Sequence, residues 1–171
     1  MLISVIVVIV LGLSFFGGLK EGAVKNFFNF LSLLIAIPLS GLYYGLVAGW
    51  LSFLPENWAN FLGFYVVLTI LVVILGLVFM IPRRIIQKIW GKGFLYRLIG
   101  GGIGLVYGGV AITLFTLVIF TYPVLDFLAR WFAGSGVLAW LVENLAFVQA
   151  MLPKVFEKTA GAFTVAVGFL G

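Results

Sequence analysis

Side chains that could carry out acid–base, nucleophilic or metal chemistry are scarce in this sequence. Its 171 residues include no histidine and no cysteine, which excludes disulfides, thiolate nucleophiles, Cys/His zinc sites and imidazole catalysis. Five carboxylates are left as candidate acids, bases or metal ligands. Ser135, in Gly134-Ser135-Gly136, superficially resembles a nucleophile loop, but it lacks the full G-x-S-x-G frame and any histidine partner. We therefore expect no catalytic, cofactor-binding or metal-binding residue, and a protein that is not an enzyme.

The overall composition is that of a chain embedded in lipid. The residues are 64% hydrophobic and 9% charged, whereas a soluble domain is about 45–50% apolar and about 25% charged. Ten basic and five acidic side chains cannot cover the surface of a soluble globule of this size. We predict an all-α, polytopic membrane protein that has the lipid bilayer as its surroundings.

Four stretches are long and apolar enough to cross a bilayer core of about 30 Å, which requires about 20 residues per helix. They are residues 1–19, 27–54, 59–81 and 98–122, and none of them contains Asp, Glu, Lys or Arg. Residues 1–122 are therefore predicted to form a four-helix transmembrane domain. A cleaved signal peptide is the alternative for the first stretch, although residues 1–4 carry no positively charged side chain.

Polar residues within these stretches favour structural roles over transport. Since no ionisable side chain lies inside a span, a transporter with a carboxylate relay at mid-membrane is disfavoured. Pro38 predicts a kink in the second span, with Ser40 near the break. Asn26, Asn29 and Ser32 share one face of a helix and are expected to form hydrogen bonds with a neighbouring element.

The basic residues between the spans predict the orientation of the chain. Residues 82–97 contain no acid but five cations, Arg83, Arg84, Lys88, Lys92 and Arg97, and residues 20–25 add two lysines. Because loops rich in Lys and Arg stay inside, we expect 20–25 and 82–97 to be cytoplasmic and both termini to lie outside. The same five cations are candidates for contact with anionic lipid headgroups, although topology alone is sufficient to explain a basic loop. A short juxtamembrane loop without a binding module does not indicate a nucleic-acid partner.

Two glycine runs give the spans smooth faces. The first glycine run is Gly41, Gly45 and Gly49, and the second glycine run is Gly100, Gly104 and Gly108. Every fourth residue of a helix faces nearly the same way, so these residues allow close approach of backbones in lipid. They are predicted to be helix-packing residues. One interpretation packs span two against span four within the chain, and the other makes the runs a contact between copies or the lining of a pore.

Residues 123–171 are predicted to form an amphipathic, interfacial C-terminal tail. Within 137–152, apolar residues recur at spacings of three and four, which predicts one amphipathic helix; the stripe comprises Leu138, Leu141, Leu145, Val148 and Leu152. This helix is expected to lie on the outer membrane surface or to pack on the bundle. A re-entrant hairpin is a further alternative, and residues 159–171 form a second apolar piece too short to span.

The order of these features resembles the colicin V production (CvpA-like) family of small bacterial inner-membrane proteins. The resemblance rests on the turn Gly18-Leu19-Lys20-Glu21-Gly22-Ala23-Val24-Lys25-Asn26 and on the segment from Tyr96-Arg97 through Gly108-Gly109. It places Arg97 on the family's arginine and the second glycine run on its glycines. Tyr96 stands where the family usually has an acid, and Tyr107 where a basic residue often precedes glycine. The resemblance implies the bacterial plasma membrane, and a role in toxin production or export or in envelope homeostasis, without a settled molecular activity.

The leading functional hypothesis is a non-enzymatic membrane protein that acts through helix packing with a membrane-protein partner or a second copy. The alternative is a small oligomeric channel or passive pore, for which the candidate lining residues are Thr113, Thr116, Thr121, Tyr43 and Tyr44. A third, lipid-handling hypothesis rests on the basic loop and the tail. The sequence names neither the partner, nor any solute, nor the oligomeric state.

Overall fold

The computed structural model describes residues 2–89, 93–122, 124 and 126–152, and every regular element within these ranges is an α-helix. The helices are α1 (Leu2–Glu21), α2 (Ala23–Trp50), α3 (Glu56–Val78), α4 (Met80–Ile89), α5 (Phe94–Thr121), α6 (Asp126–Ala133), α7 (Gly136–Asn144) and α8 (Ala146–Met151). Four of them, α1, α2, α3 and α5, are long and apolar enough to cross a membrane. The predicted all-α membrane class is confirmed. Lys92 and residues 153–171, which include the predicted apolar piece 159–171, lie outside the described residues.

Helix α5 is the centre of the bundle. Of its most apolar stretch, 56% of the residues are buried, compared with 17% in α1 and 22% in α3. α1 packs along α5, and α2 packs along both α5 and α3. α1 and α2 have little contact with one another, although they are adjacent in the chain. The main apolar core lies between α2, α3 and α5, where Ile37, Phe64 and Val110 are fully buried.

The ends of the long helices differ from the predicted ends of the spans. α2 begins at Ala23 and α5 begins at Phe94, each before the predicted start of its span. The reason is that polar residues, which do not enter lipid, can still continue a helix. The glycines before them, Gly22 and Gly93, are the N-caps. α2 ends at Trp50, so residues 51–54 form a turn and not the predicted last turn of the span. The next residue, Pro55, disfavours helical geometry in the residue before it.

The basic segment after α3 forms a helix. α3 ends at Val78, and α4 runs from Met80 to Ile89. Pro82, predicted to stop the third span, instead lies in the first turn of α4, where its missing N–H has no helical acceptor to lose. We call the end of the bundle formed by Lys20–Lys25 and α4 the basic end. The other end, formed by the end of α2, residues 51–55, the start of α3 and α6–α8, carries Trp50, Trp58, Trp131 and Trp140 and is called the aromatic end.

The tail contains three short helices, α6, α7 and α8. The sequence predicts a single helix over 137–152, and α7 and α8 lie in its place. α7 and α8 are separated at Leu145, whose φ of −106° and ψ of 32° leave the helical region. The predicted apolar stripe is nevertheless directed inward: Leu138, Leu141, Val148 and Leu152 are buried. They belong to clusters with residues of α1 and α5, such as Val7 and Leu114, so the described part of the tail packs on the bundle.

Candidate functional site

The closest contact between helices lies at the basic end, where the last turns of α1 meet the start of α5. A methyl group on Gly100 would come within 2.6 Å of the Gly18 carbonyl oxygen and 2.8 Å of the Ala23 nitrogen. One on Gly18 would come within 2.9 Å of the Gly101 Cα. Backbone therefore touches backbone at these positions, and only glycine fits. We call this region, Gly18–Asn26 with Tyr96–Gly104, the glycine junction.

The second glycine run continues this contact along α1. A methyl group on Gly104 would come within 2.5 Å of the carbonyl oxygen of Ser14, and one on Gly108 within 2.5 Å of its hydroxyl oxygen. The second glycine run therefore packs on α1, while α2 also lies against α5, as the interpretation that packs span two against span four requires. The missed signal is a small-residue stripe on α1, since Ser14 and Gly18 are also four residues apart.

The first glycine run has a different environment. Gly41 is buried, but Gly45 and Gly49 are exposed, and a methyl group on either would contact nothing. The contact between α2 and α3 uses a glycine of α3 instead. A methyl group on Gly63 would come within 2.9 Å of the Tyr44 carbonyl oxygen. Gly45 and Gly49 thus form a smooth face that no described residue covers.

Gly22 joins α1 to α2 in a single residue. Its φ of +82° is a conformation that residues with a side chain rarely adopt, and the ring of Tyr96 lies where its Cβ would be. The Tyr96 hydroxyl accepts a hydrogen bond of 3.3 Å from the backbone N–H of Val24. That N–H is in the first turn of α2 and has no acceptor within its own helix. Tyr96 thereby binds the start of α2 to α5.

Asn26 closes the junction from the α2 side. Its buried side-chain amide donates to the carbonyl oxygens of Gly18, at 3.1 Å, and Gly22, at 3.0 Å. Each of these carbonyls also accepts a backbone N–H, that of Gly22 and that of Asn26 respectively, so the side-chain amide adds second bonds that join the end of α1 to α2. Asn29 donates to Glu21 at 3.4 Å, whereas Ser32 donates to Phe28 of its own helix. The predicted bonds to a neighbouring element are thus present for the two asparagines and absent for Ser32.

Comparison with known proteins shows the family to which this chain belongs. The family model described as colicin V production protein matches residues 3–146, most of the chain. The chain belongs to the colicin V production protein family. No curated protein and no solved structure matches it. The two segments on which the resemblance rests meet in the glycine junction, in which the Tyr96 hydroxyl oxygen accepts a hydrogen bond from a backbone N–H.

The basic residues of this family member lie at the surface of the basic end. Arg84, Lys88 and Arg97 are exposed, and Arg83 is half-buried. Within the described ranges, none of these four is paired with a carboxylate, whereas Lys25 forms an ion pair with Glu21. These cations therefore form a group at one end of the bundle that has no counter-ion among the described side chains.

The candidate pore-lining residues do not share a surface. Thr113 and Thr116 are fully buried within the bundle. The hydroxyls of Thr116 and Thr121 donate to carbonyls one turn earlier in α5. Tyr43 is exposed, while the ring of Tyr44 lies 6.2 Å from that of Tyr122. Some of these residues are therefore buried in the packing and Tyr43 is not, so together they do not form one polar face.

Ser135, the one candidate nucleophile, is the N-cap of α7. Its buried hydroxyl accepts from the Leu138 N–H at 3.4 Å and lies 3.0 Å from the hydroxyl oxygen of Ser4. Among the residues that the structure describes, no three acidic side chains come together to hold a metal ion. The hydroxyl of Ser135 therefore has a structural role that joins the tail to the start of α1.

Proposed function

We propose that this protein is a non-enzymatic subunit of the bacterial plasma membrane that acts by packing α2 against a helix of another membrane protein. The family description, colicin V production protein, supports a role in toxin production or export. More broadly, we propose a role in envelope homeostasis. On this proposal the chain supplies a rigid bundle and one free contact face, while any chemistry resides in the partner.

The exposed face of Gly45 and Gly49 is the observation that carries the proposal. These residues form a G-x-x-x-G pattern on the half of α2 nearest the aromatic end, with open space above both. In lipid, small residues at this spacing let two helix backbones approach closely, so that dispersion and weak hydrogen bonds replace the missing hydrophobic effect. The second glycine run is already occupied by α1, so it is not free for the same purpose.

The proposed orientation places the basic end in the cytoplasm. It is supported by the cations at that end, since lysine and arginine favour the cytoplasmic side, whereas the tryptophans at the other end mark a membrane interface without distinguishing its side. Trp50, Trp131 and Trp140 are exposed, as expected for side chains at the level of the lipid headgroups. The termini and the partner contact at Gly45 and Gly49 would then lie towards the outer leaflet.

The proposal is tested by the native mass of the protein extracted in a mild detergent, with co-purifying proteins identified. We expect a complex that the double substitution Gly45→Leu and Gly49→Leu reduces to the single chain, because leucine holds the two backbones apart. Gly76→Leu is the matched control, since Gly76 has equally open surroundings on α3 but no small residue four positions away. A single chain in the unsubstituted protein, or a complex unaffected by the double substitution, would contradict the proposal.

The alternative function, an oligomeric pore, requires a polar face that this arrangement of threonines and tyrosines does not favour. If the native complex is a homo-oligomer, conductance of the reconstituted protein decides between a pore and a packing role.

A further inference from the structure

An apolar cavity of about 300 Å³ lies at the basic end between α2, α4 and α5. Its walls are formed by Ala23, Phe27 and Phe28 of α2, Ile86 of α4, and Ile99 and Ile103 of α5. Among the described residues, no polar side chain contributes to the lining. The volume is at the lower end of the range typical of ligand pockets, about 300–1,000 Å³. The cavity therefore suits a slender hydrocarbon and not a polar solute.

The cavity is accessible from the surface that faces lipid. Phe27 and Ile99, on opposite walls, are each 51% exposed. They belong to α2 and α5, two of the four helices long and apolar enough to span the membrane. A hydrocarbon chain can therefore enter from the surrounding bilayer without passing through water.

Arg83 brings a cation to the same side of α4 as the cavity. With about 100° between successive residues, Arg83 lies about 60° from Ile86 around the helix and one turn before it, whereas Arg84 lies about 160° away, on nearly the opposite side. The Nε of Arg83 is buried and has no hydrogen-bond acceptor among the described residues. A buried donor of this kind is costly unless an acceptor occupies the site.

We propose that this cavity binds one acyl chain of an anionic phospholipid whose phosphate accepts hydrogen bonds from Arg83. A phospholipid is the membrane component that combines a hydrocarbon chain with oxygen acceptors, and the planar guanidinium matches the phosphate in geometry. The charge of the region favours an anionic lipid, because residues 82–97 include five cations and no acid. This site is at the opposite end of α2 from the proposed helix contact, so the two proposals are independent.

Lipid retention in native mass spectrometry tests the site. The full-length protein is reconstituted into nanodiscs of equal amounts of phosphatidylglycerol and phosphatidylcholine, released in the gas phase, and its bound lipids are counted. We expect one retained phosphatidylglycerol, at least tenfold over phosphatidylcholine. Arg83→Gln should reduce that retention at least tenfold, while Arg84→Gln, which removes the same charge from the regional total but lies on the far side of α4 from the cavity, should reduce it no more than about twofold.

A second variant tests the acyl-chain part of the site without changing charge. Ile103→Trp fills the cavity, and we expect it to abolish retention although all cations remain. Far-ultraviolet circular dichroism and thermal unfolding of each variant identify any that do not fold. Equal loss in Arg83→Gln and Arg84→Gln would show diffuse attraction to the basic end and overturn the proposal. Full retention in folded Ile103→Trp, or equal retention of both lipids, would also overturn it.

Discussion

Gly102 and Gly104 are separated by one residue on α5 but lie in different surroundings. Gly102 is exposed, and a methyl group there would contact nothing, whereas one on Gly104 would come within 2.5 Å of the Ser14 carbonyl oxygen. Because residues two apart on a helix point in nearly opposite directions, one glycine can face lipid while the other touches α1. Glycine is therefore required only at positions where the backbone of a neighbouring helix lies directly against it.

This difference predicts opposite effects of the same substitution. Gly104→Ala should destabilise the bundle by about 1–3 kcal/mol, the usual cost of inserting a methyl group into a closely packed contact. Gly102→Ala should be neutral or slightly stabilising, since alanine is the better helix former. The two variants are compared by thermal unfolding in detergent, monitored by helical circular dichroism. Equal stability of the two variants would contradict the described contact between α5 and α1.

The residues of the glycine junction could be predicted in part from the sequence. The spacing of Gly100, Gly104 and Gly108 correctly identifies a smooth face, because the spacing is a property of a single helix. It does not identify the helix that packs on that face, since all four long helices are apolar. The roles of Tyr96 and Asn26 depend on the conformation of Gly22, which places the start of α2 beside the end of α1. Contacts of this kind depend on the tertiary arrangement and have no signal in a single segment.

At the scale of the elements, α4 is a helix that hydropathy alone does not predict. The basic segment could be recognised as the end of a span, but its helix, Met80–Ile89, follows from local rules. Pro82 is compatible with the first turn of a helix, and the residues after it are apolar on one side and basic on the other. Such a helix is expected at a membrane surface, parallel to the headgroups. Its side of the membrane determines the orientation of every other element.

Single cysteines can determine that orientation, because the chain has none of its own. Phe53, in the turn after α2, is 78% exposed, and Ile89, at the end of α4, is 75% exposed. In spheroplasts, a maleimide that does not cross membranes should label Phe53→Cys and should label Ile89→Cys only after the membrane is permeabilised. The reverse pattern would show that the basic end faces outwards. Labelling of both in sealed spheroplasts would contradict a membrane-spanning α3 between them.

At the scale of the whole molecule, the helices that pack together are not always neighbours in the sequence. α5 lies against both α1 and α2, although it is the last of the four long helices. Its richness in glycine gives a physical reason, because small residues let two neighbours approach one helix at once. The number of spans could be predicted from length and apolarity. Their arrangement could not, because in lipid the outside of a bundle is as apolar as its inside.

The tail completes the arrangement by returning to the start of the chain. The hydroxyl oxygens of Ser4 and Ser135 lie 3.0 Å apart, although the residues are 131 positions apart in sequence. Leu141 and Leu145 of the tail also lie beside Gly109 in the middle of α5. A tail lying free on the membrane surface would not maintain these contacts, so the distance between Ser4 and Ser135 reports its docking.

The double substitution Ser4→Cys and Ser135→Cys is therefore expected to form a disulfide in cells, without added oxidant. Two conditions are required: the tail must dock, so that the sulfurs meet, and the aromatic end must face the periplasm, where disulfides persist. Ser4→Cys with Trp140→Cys is the control, because the Trp140 side chain is exposed on α7. The disulfide is measured as the mass of peptides joined after proteolysis. If it forms only when isolated membranes are treated with copper phenanthroline, the tail docks but the proposed orientation is reversed. If it fails to form even then, the tail does not pack on α1, and the bundle consists of the four long helices alone.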